Sequence, residues 1–321
     1  MAGTIYGAKI QGMRGAVGDA LVELGQKNDR VVVIDAETAV ATNIAPFKEA
    51  FPDRFLTTCI AEQNAISVAY GLARMGFIPF VPLFASFISR RAFDQVFVHA
   101  GYPNANIKMM GGYAGLTAAS VGATHQAIND INIMRTVPNL TVIEACDPDE
   151  LHDAILKAAE IEGPVYIRVV RSDLPEYEVK QTPEGYHFEV GKAAVLKEGT
   201  DVSLVGSGIM VARCKEAAEK LAEQGISVEV INVSTIKPLD VETIINSARK
   251  TNHVVTAEGN SVLGGLGSAV AEALCENHPC RLGRVGVLDR YGHSGLDREL
   301  LKLYNLTTED IVDKALEILN K

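Results

Sequence analysis

VYIRVV, residues 165–170, holds five apolar residues and one arginine, with no alternation of polar and apolar positions. A strand with one wet face alternates. A strand that is apolar throughout needs cover on both faces, as in the parallel sheet of an α/β fold. The same pattern recurs toward the N-terminus in RVVVID (30–35), FIPFVPLF (77–84), IKMMGG (107–112) and TVIEAC (141–146), with FLTTCI (55–60) among them. Pro79 and Pro82 weaken the strand at 77–84, because proline removes a ladder donor. Helical segments fall between the strands: around Gly15–Gly25, from Glu62 to Met75, and from Ser86 to Ala100. Another begins at Asp147-Pro148, an N-cap aspartate with proline at the first helical position.

The polar, proline-containing stretch SDLPEYEVKQTPEGYHFEVG (172–191) breaks this rhythm. A second α/β series follows, with strands DVSLVG (201–206), SVEVIN (227–232), HVVTAEG (253–259) and RVGVLD (284–289). The segment TTEDIVDKALEIL (307–319) reads as a closing helix with a threonine cap and acids in its first turn. The reading is therefore an α/β protein of two domains, 1–175 and 193–321, joined by a linker over 176–192.

At 321 residues the chain is long enough for two cores. Its net charge of −10 and lack of a basic stripe argue against a nucleic-acid partner. The beginning MAGTIYGAKIQGMRG has no apolar signal core, and no apolar run approaches the ~18 residues of a bilayer span, so the expectation is no membrane and a cytoplasmic protein. Five scattered cysteines argue against a disulfide framework. Cys275 and Cys280 lack the second ligand pair of a metal loop. GGLGSA (264–269) reads as a close-packed helix start, with a phosphate cradle as the lesser alternative.

Three segments of the first half carry chemistry-bearing residues. IAEQNAISVAYG (60–71) puts Glu62 at a strand-to-helix handover, where an acid by itself is a macrodipole residue. FASFISRRAFDQV (84–96) groups Phe84, Phe87 and Phe93, which alone is core packing, beside Arg90 and Arg91, which alone are surface charges. GATHQAIND (122–130) carries His125, which alone is a cap or an interior group.

In this order and spacing the three segments resemble the middle domain of transketolases and deoxyxylulose-phosphate synthases. RGAVGDALVELG (14–25), PNLTVIEACDPDE (138–150), TAEGNSVLGGLGSAVAEAL (256–274) and DRYGHSG (289–295) extend the resemblance over essentially the whole chain. What it implies is a pyrimidine-binding, doubly wound parallel sheet followed by a transketolase C-terminal α/β domain. The chain shows no Gly-Asp-Gly followed by a distant Asn, the loop that holds a diphosphate through a divalent metal in thiamine enzymes. It therefore resembles the C-terminal subunit of a split transketolase.

The resemblance implies thiamine diphosphate as cofactor, with Mg2+ or Ca2+ bound by an N-terminal partner subunit in an α2β2 heterotetramer. Glu62 matches the glutamate that bonds the pyrimidine ring nitrogen, and a carboxyl group taken out of water can share such a proton. Phe87 matches the stacking aromatic, and Phe93 a second aromatic of the pocket. Arg90 stands where many transketolases have a third. His125 matches the histidine near the reacting carbon of the ketose, and Arg14 and Arg171 match arginines that bind a terminal phosphate.

Three positions depart from the family pattern: Ala41 for a serine, Tyr113 for a histidine, and Val121 for an aspartate that reads a sugar hydroxyl. A lost hydroxyl-reading contact alters discrimination by as much as about 10⁴. The implied donor is thus a variant anionic ketose: branched, deoxy or sulfonated. The alternatives are the β subunit of a 2-oxo acid dehydrogenase, a deoxyxylulose-phosphate synthase-like enzyme, and a non-catalytic paralogue used in assembly.

Overall fold

The computed structural model describes residues 4–5, 8–9, 12–171, 174–175 and 179–319; the first linker positions, 176–178, fall outside them. A seven-stranded sheet is ordered Thr235–Lys237, Thr141–Glu144, Val165–Arg168, Lys108–Gly112, Ile78–Phe84, Val31–Asp35 and Phe55–Thr57. A five-stranded sheet is ordered Arg281–Val287, His253–Ser261, Val202–Gly206, Val228–Asn232 and Ala194–Lys197. Both are parallel except at one edge each, where Thr235–Lys237 and Ala194–Lys197 run antiparallel to their neighbours. The sequence pattern misses these two short strands and also the antiparallel pair Thr4–Ile5 and Ala8–Lys9, because runs of two to four residues carry too little pattern. The strand Thr235–Lys237 comes from the second half of the chain and completes the sheet of the first.

The continuous apolar runs are explained by the cores. Neighbouring residues of one strand face opposite layers: Met110, Ile143 and Ile167 enter one cluster, and Met109, Val142 and Tyr166 the other. Helices Gly12–Lys27 and Pro148–Ala158 pack together, while Glu62–Arg74 packs on the interior strand Ile78–Phe84. The prolines at 79 and 82 sit in that interior strand, contrary to the usual edge placement. Residues 179–193 contain no regular element, yet they are pinned. Asp147 accepts the Gln181 and Thr182 backbone N–H groups, and Glu150 accepts the Tyr186 hydroxyl at 2.8 Å.

The arginine inside VYIRVV is wholly buried. Arg168 donates through Nε to Asp130 at 2.9 Å, through Nη1 to Glu144, and through Nη2 to the carbonyls of Ala127 and Gly259, both at 3.1 Å. Burial works against its charge, but the two carboxylates overcome this and hold its pKa above the ordinary value. Asp130 also accepts the Tyr166 hydroxyl at 2.7 Å, and Glu144 accepts the Ser207 hydroxyl at 2.6 Å. Gly259 and Ser207 belong to the second sheet's half, so this cluster joins the two halves.

At GGLGSA the helix Leu266–Asn277 starts against Glu258, whose carboxylate accepts the N–H groups of Leu266 and Gly267 at 2.9 and 2.8 Å. The protein's own carboxylate takes the position a phosphate would need, which leaves the close-packed helix start. All five cysteines are free. Among the described residues no helix is long and apolar enough to cross a membrane.

Two predictions test these clusters. Arg168→Met leaves two buried carboxylates without their cation, so urea unfolding should report a loss of about 3–5 kcal/mol. A loss under 1 kcal/mol would show the cluster to be dispensable. Burial pushes the Glu258 carboxyl from the ordinary 4.5 up to about 7, against the two N–H bonds. Between those values the folded chain holds a proton that the unfolded chain has released. Its contribution is therefore complete below pH 4.5 and is lost as pH rises to about 7. The stability difference between wild type and Glu258→Gln should decline across that window; a constant difference would contradict the assignment.

Candidate functional site

In the seven-stranded sheet the chain leaves Val31–Asp35 toward the outer strand Phe55–Thr57, then returns to the other side of Val31–Asp35 to form Ile78–Phe84. The connections diverge there and open a crevice beyond the carboxyl ends of the strands, the usual place for a ligand in an open α/β sheet. The chemistry-bearing residues converge on it. Phe84 ends one strand, Tyr113 follows the next, and Glu62 begins the helix after Phe55–Thr57.

Phe84 is the hub of a ring cluster. It lies 4.6 Å from Tyr113, 5.7 Å from Phe87 and 5.8 Å from His125, centroid to centroid. His125 meets Phe87 edge-on at 5.1 Å, and its Nδ1 lies 3.0 Å from the Thr124 hydroxyl oxygen. Tyr113 takes φ +58, a left-handed conformation uncommon outside glycine, and the Arg171 guanidinium lies over its ring at 5.0 Å. The Arg171 Nε is buried without a hydrogen-bond partner among the described residues.

Glu62 is the first residue of helix Glu62–Arg74, and its side chain is 3% exposed. Its charge suits the helix N-terminus. Both of its carboxylate oxygens accept from Arg91 Nη1 at 2.8 Å, and the same guanidinium lies 4.3 Å from the Phe87 ring centroid. Phe87 and Arg91 bound a π-helical turn, Phe87–Arg91, and a second such turn spans Val96–Gly101. Wide turns of this kind interrupt helices frequently at functional sites.

Arg14 donates to the Ala41 carbonyl at 3.4 Å and borders a cleft of about 500 Å³ with Asp35, Glu37, Lys48, Thr57 and Tyr113. Arg14, Ala41 and Tyr113 also share a small pocket beneath it. Arg171, stacked on Tyr113, adds a second guanidinium at this end of the crevice.

The structure thus brings together Glu62, Phe87, His125, Tyr113, Arg14 and Arg171. Phe93 stands apart from the ring cluster. Its ring neighbour is Phe97 at 6.2 Å, and it lines a cleft of about 620 Å³ between the halves of the chain with Arg90, Asn129, Arg290 and Tyr291. Arg90 turns away from Glu62 and donates to the Thr124 carbonyl at 2.9 Å, tying the π-helical turn to the His125 loop. The neighbouring Arg91 holds the carboxylate instead. Sequence reasoning passed over Arg91 and Lys48; their signal is position, one four residues after Phe87 and one in the helix that follows the strand Val31–Asp35.

The His125 loop is set from behind. Gln126 donates to the carbonyl of His293, in the second half, at 2.8 Å, and Gly122 packs against Ser294. Just before it Ala119 sits at φ +44, and Val121 is 44% exposed. Thr-His-Gln and Asp-Arg-Tyr-Gly-His-Ser-Gly, far apart in sequence, therefore touch.

Comparison with known proteins agrees with this architecture. The family model described as the transketolase pyrimidine binding domain matches residues 10–176, and that for the transketolase C-terminal domain matches residues 191–311. A 6-deoxy-6-sulfo-D-fructose transketolase subunit of Clostridium sp. (strain MSTE9) is 46% identical over 300 residues, covering 94% of this chain and 92% of its own. One of the apulose-4-phosphate transketolase subunits of Phocaeicola vulgatus is 33% identical, covering 94% of this chain and 96% of its own. A solved structure titled split gene transketolase, inactive beta4 tetramer, superposes with a TM-score of 0.87 at 44% identity, covering 97% of this chain and 98% of that one. With a pyrimidine-binding domain, a C-terminal domain and a crevice at the switch point of the first sheet, this chain belongs to the transketolase family.

Proposed function

We propose that this chain is the pyrimidine-binding subunit of a thiamine-diphosphate-dependent transketolase, transferring a two-carbon ketol unit from an anionic ketose to an aldose. The observation that carries the reading is the pairing of a buried carboxylate, Glu62, with an aromatic face, Phe87, at the carboxyl edge of the sheet. A flat heteroaromatic ring with an N–H donor fits those two groups together. When bound, thiamine diphosphate supplies the carbon nucleophile for ketol transfer, which no side chain provides.

The residues of this chain divide the remaining work. Glu62 holds a proton at the pyrimidine ring nitrogen. Phe87 stacks on the ring and, with Phe84, keeps water from that face. His125, edge-on to Phe87, faces the ketose near its reacting carbon. Arg14 and Arg171, at the other end of the crevice, fork onto the terminal anion of the sugar. Tyr113, held between Phe84 and Arg171, sets the wall between the two ends.

An N-terminal partner subunit supplies the diphosphate and metal ligands, in an α2β2 assembly. The relatives that are named as subunits, and the split-gene structure, support a two-chain enzyme. The donor is an anionic ketose other than the ordinary xylulose 5-phosphate. Ala41, Tyr113 and Val121 support this, as do two relatives whose named substrates carry a sulfonate and a phosphate.

Three measurements test the reading. Mixed with its partner chain and Mg2+, the protein should bind thiamine diphosphate, and Glu62→Ala should cut turnover by about 10² or more with an unchanged melting profile. A near-normal rate in that variant would overturn the role of Glu62. Arg171→Ala should raise KM for the ketose roughly ten-fold or more while kcat changes little, because it removes a charged contact held equally in ground and transition states. Turnover on 6-deoxy-6-sulfofructose or apulose 4-phosphate should exceed that on xylulose 5-phosphate; full activity on the last alone would refute the donor assignment.

A further inference from the structure

The Arg91 guanidinium occupies the two groups that the proposed cofactor ring would need. Its Nη1 donates to both oxygens of Glu62 at 2.8 Å, and its Cζ lies over the Phe87 ring 4.3 Å from the centroid, within cation–π range. A guanidinium and an aminopyrimidine make the same demands on their surroundings: each is flat, carries N–H donors, stacks on an aromatic face and pairs with a carboxylate. A flat ring seated on the same face of Phe87 and against the same edge of the Glu62 carboxylate would have to displace the guanidinium.

The exposures of the pair are lopsided. The Glu62 side chain is 3% exposed and that of Arg91 is 47% exposed. A carboxylate so deeply buried is costly without a partner. The arginine, by contrast, is half in water on a long, flexible stem, so it can withdraw cheaply once another donor reaches Glu62. Its backbone lies at the end of the π-helical turn Phe87–Arg91, four residues after Phe87, which sets the guanidinium over that ring.

We propose that Arg91 is a resident stand-in for the cofactor's pyrimidine ring: it keeps Glu62 paired and Phe87 covered, and the arriving ring displaces it. This rests on the thiamine reading above. The arginine is a positioning residue, and its presence lowers the apparent affinity for the cofactor by the fraction of time it covers the site. In exchange, the chain carries no bare buried carboxylate at Glu62 before the cofactor arrives.

The test is calorimetric titration of thiamine diphosphate, with Mg2+, into the complex of the full chain with its diphosphate-binding partner. Arg91→Met, which keeps the length of the stem and removes the donors, should bind the cofactor roughly ten-fold more tightly than wild type. A merely structural defect would weaken binding, so the sign of the change is diagnostic. Arg91→Lys, which keeps the charge but cannot stack as a plane, should tighten binding by a smaller factor. Equal or weaker binding in both variants, with a wild type that binds, would overturn the stand-in role and leave the thiamine reading intact. A wild-type complex that binds no thiamine diphosphate would overturn both.

Discussion

The buried Arg168 cluster is the constraint from which the geometry of the crevice follows. One guanidinium holds Asp130 and Glu144 and also fixes the carbonyls of Ala127 and Gly259. Ala127 closes the loop that bears His125, and Gly115 N donates to its carbonyl at 2.8 Å. Asp130 begins the helix that follows. The position of His125 is thus set by a charge on a neighbouring strand, inside a core that tolerates that charge because its donors are met. Through Gly259 and Ser207 the same cluster fixes the second half of the chain against the first. The second half acts again at the loop tip, where the His293 carbonyl accepts Gln126.

The C-terminal half therefore has a physical role in the site although none of the proposed reactive residues belongs to it. It supplies the edge strand Thr235–Lys237 to the first sheet, one carbonyl partner each to Arg168 and Gln126, and part of the wall of the cleft beside Arg90. A pyrimidine-binding sheet cut away at the linker would lose a strand and expose two buried carboxylates. The linker itself is held by Asp147 and Glu150, both on the first-half side, which leaves little freedom between the halves.

What could be read from the sequence was whatever depends on local pattern. Continuous apolar runs such as VVVID and VYIRVV announce a sheet covered on both faces, and the two cores on either side of it are the reason. The edge strands escaped because runs of three or four residues are too short to carry such a signal. The arginine in VYIRVV stood out as an oddity, but its partners, Asp130 and Glu144, lie 38 and 24 residues away and only the fold joins them. At the site, Glu62, Phe87 and His125 were singled out by the resemblance of their segments to transketolases, and the fold brings the three to one crevice. Phe93 was grouped with Phe87 on sequence proximity and on the resemblance; in the fold its ring neighbours Phe97 and lines the cleft beside Arg90, while Phe87 meets His125.

Helical spacing explains why the choice between Arg90 and Arg91 could not be made from sequence. In a regular helix residues 87 and 91 already share a face, as do 86 and 90. The pattern i, i+4 therefore offers each arginine a companion: Ser86 for Arg90 and Phe87 for Arg91. Both contacts form, since Arg90 Nε donates to the Ser86 carbonyl at 3.2 Å while Arg91 covers Phe87. What separates their roles is the carboxylate. Glu62, buried at a helix start, needs a donor, and of the two it is the guanidinium over Phe87 that is aimed at it. A buried acid next to an aromatic face thus selects one of two adjacent arginines.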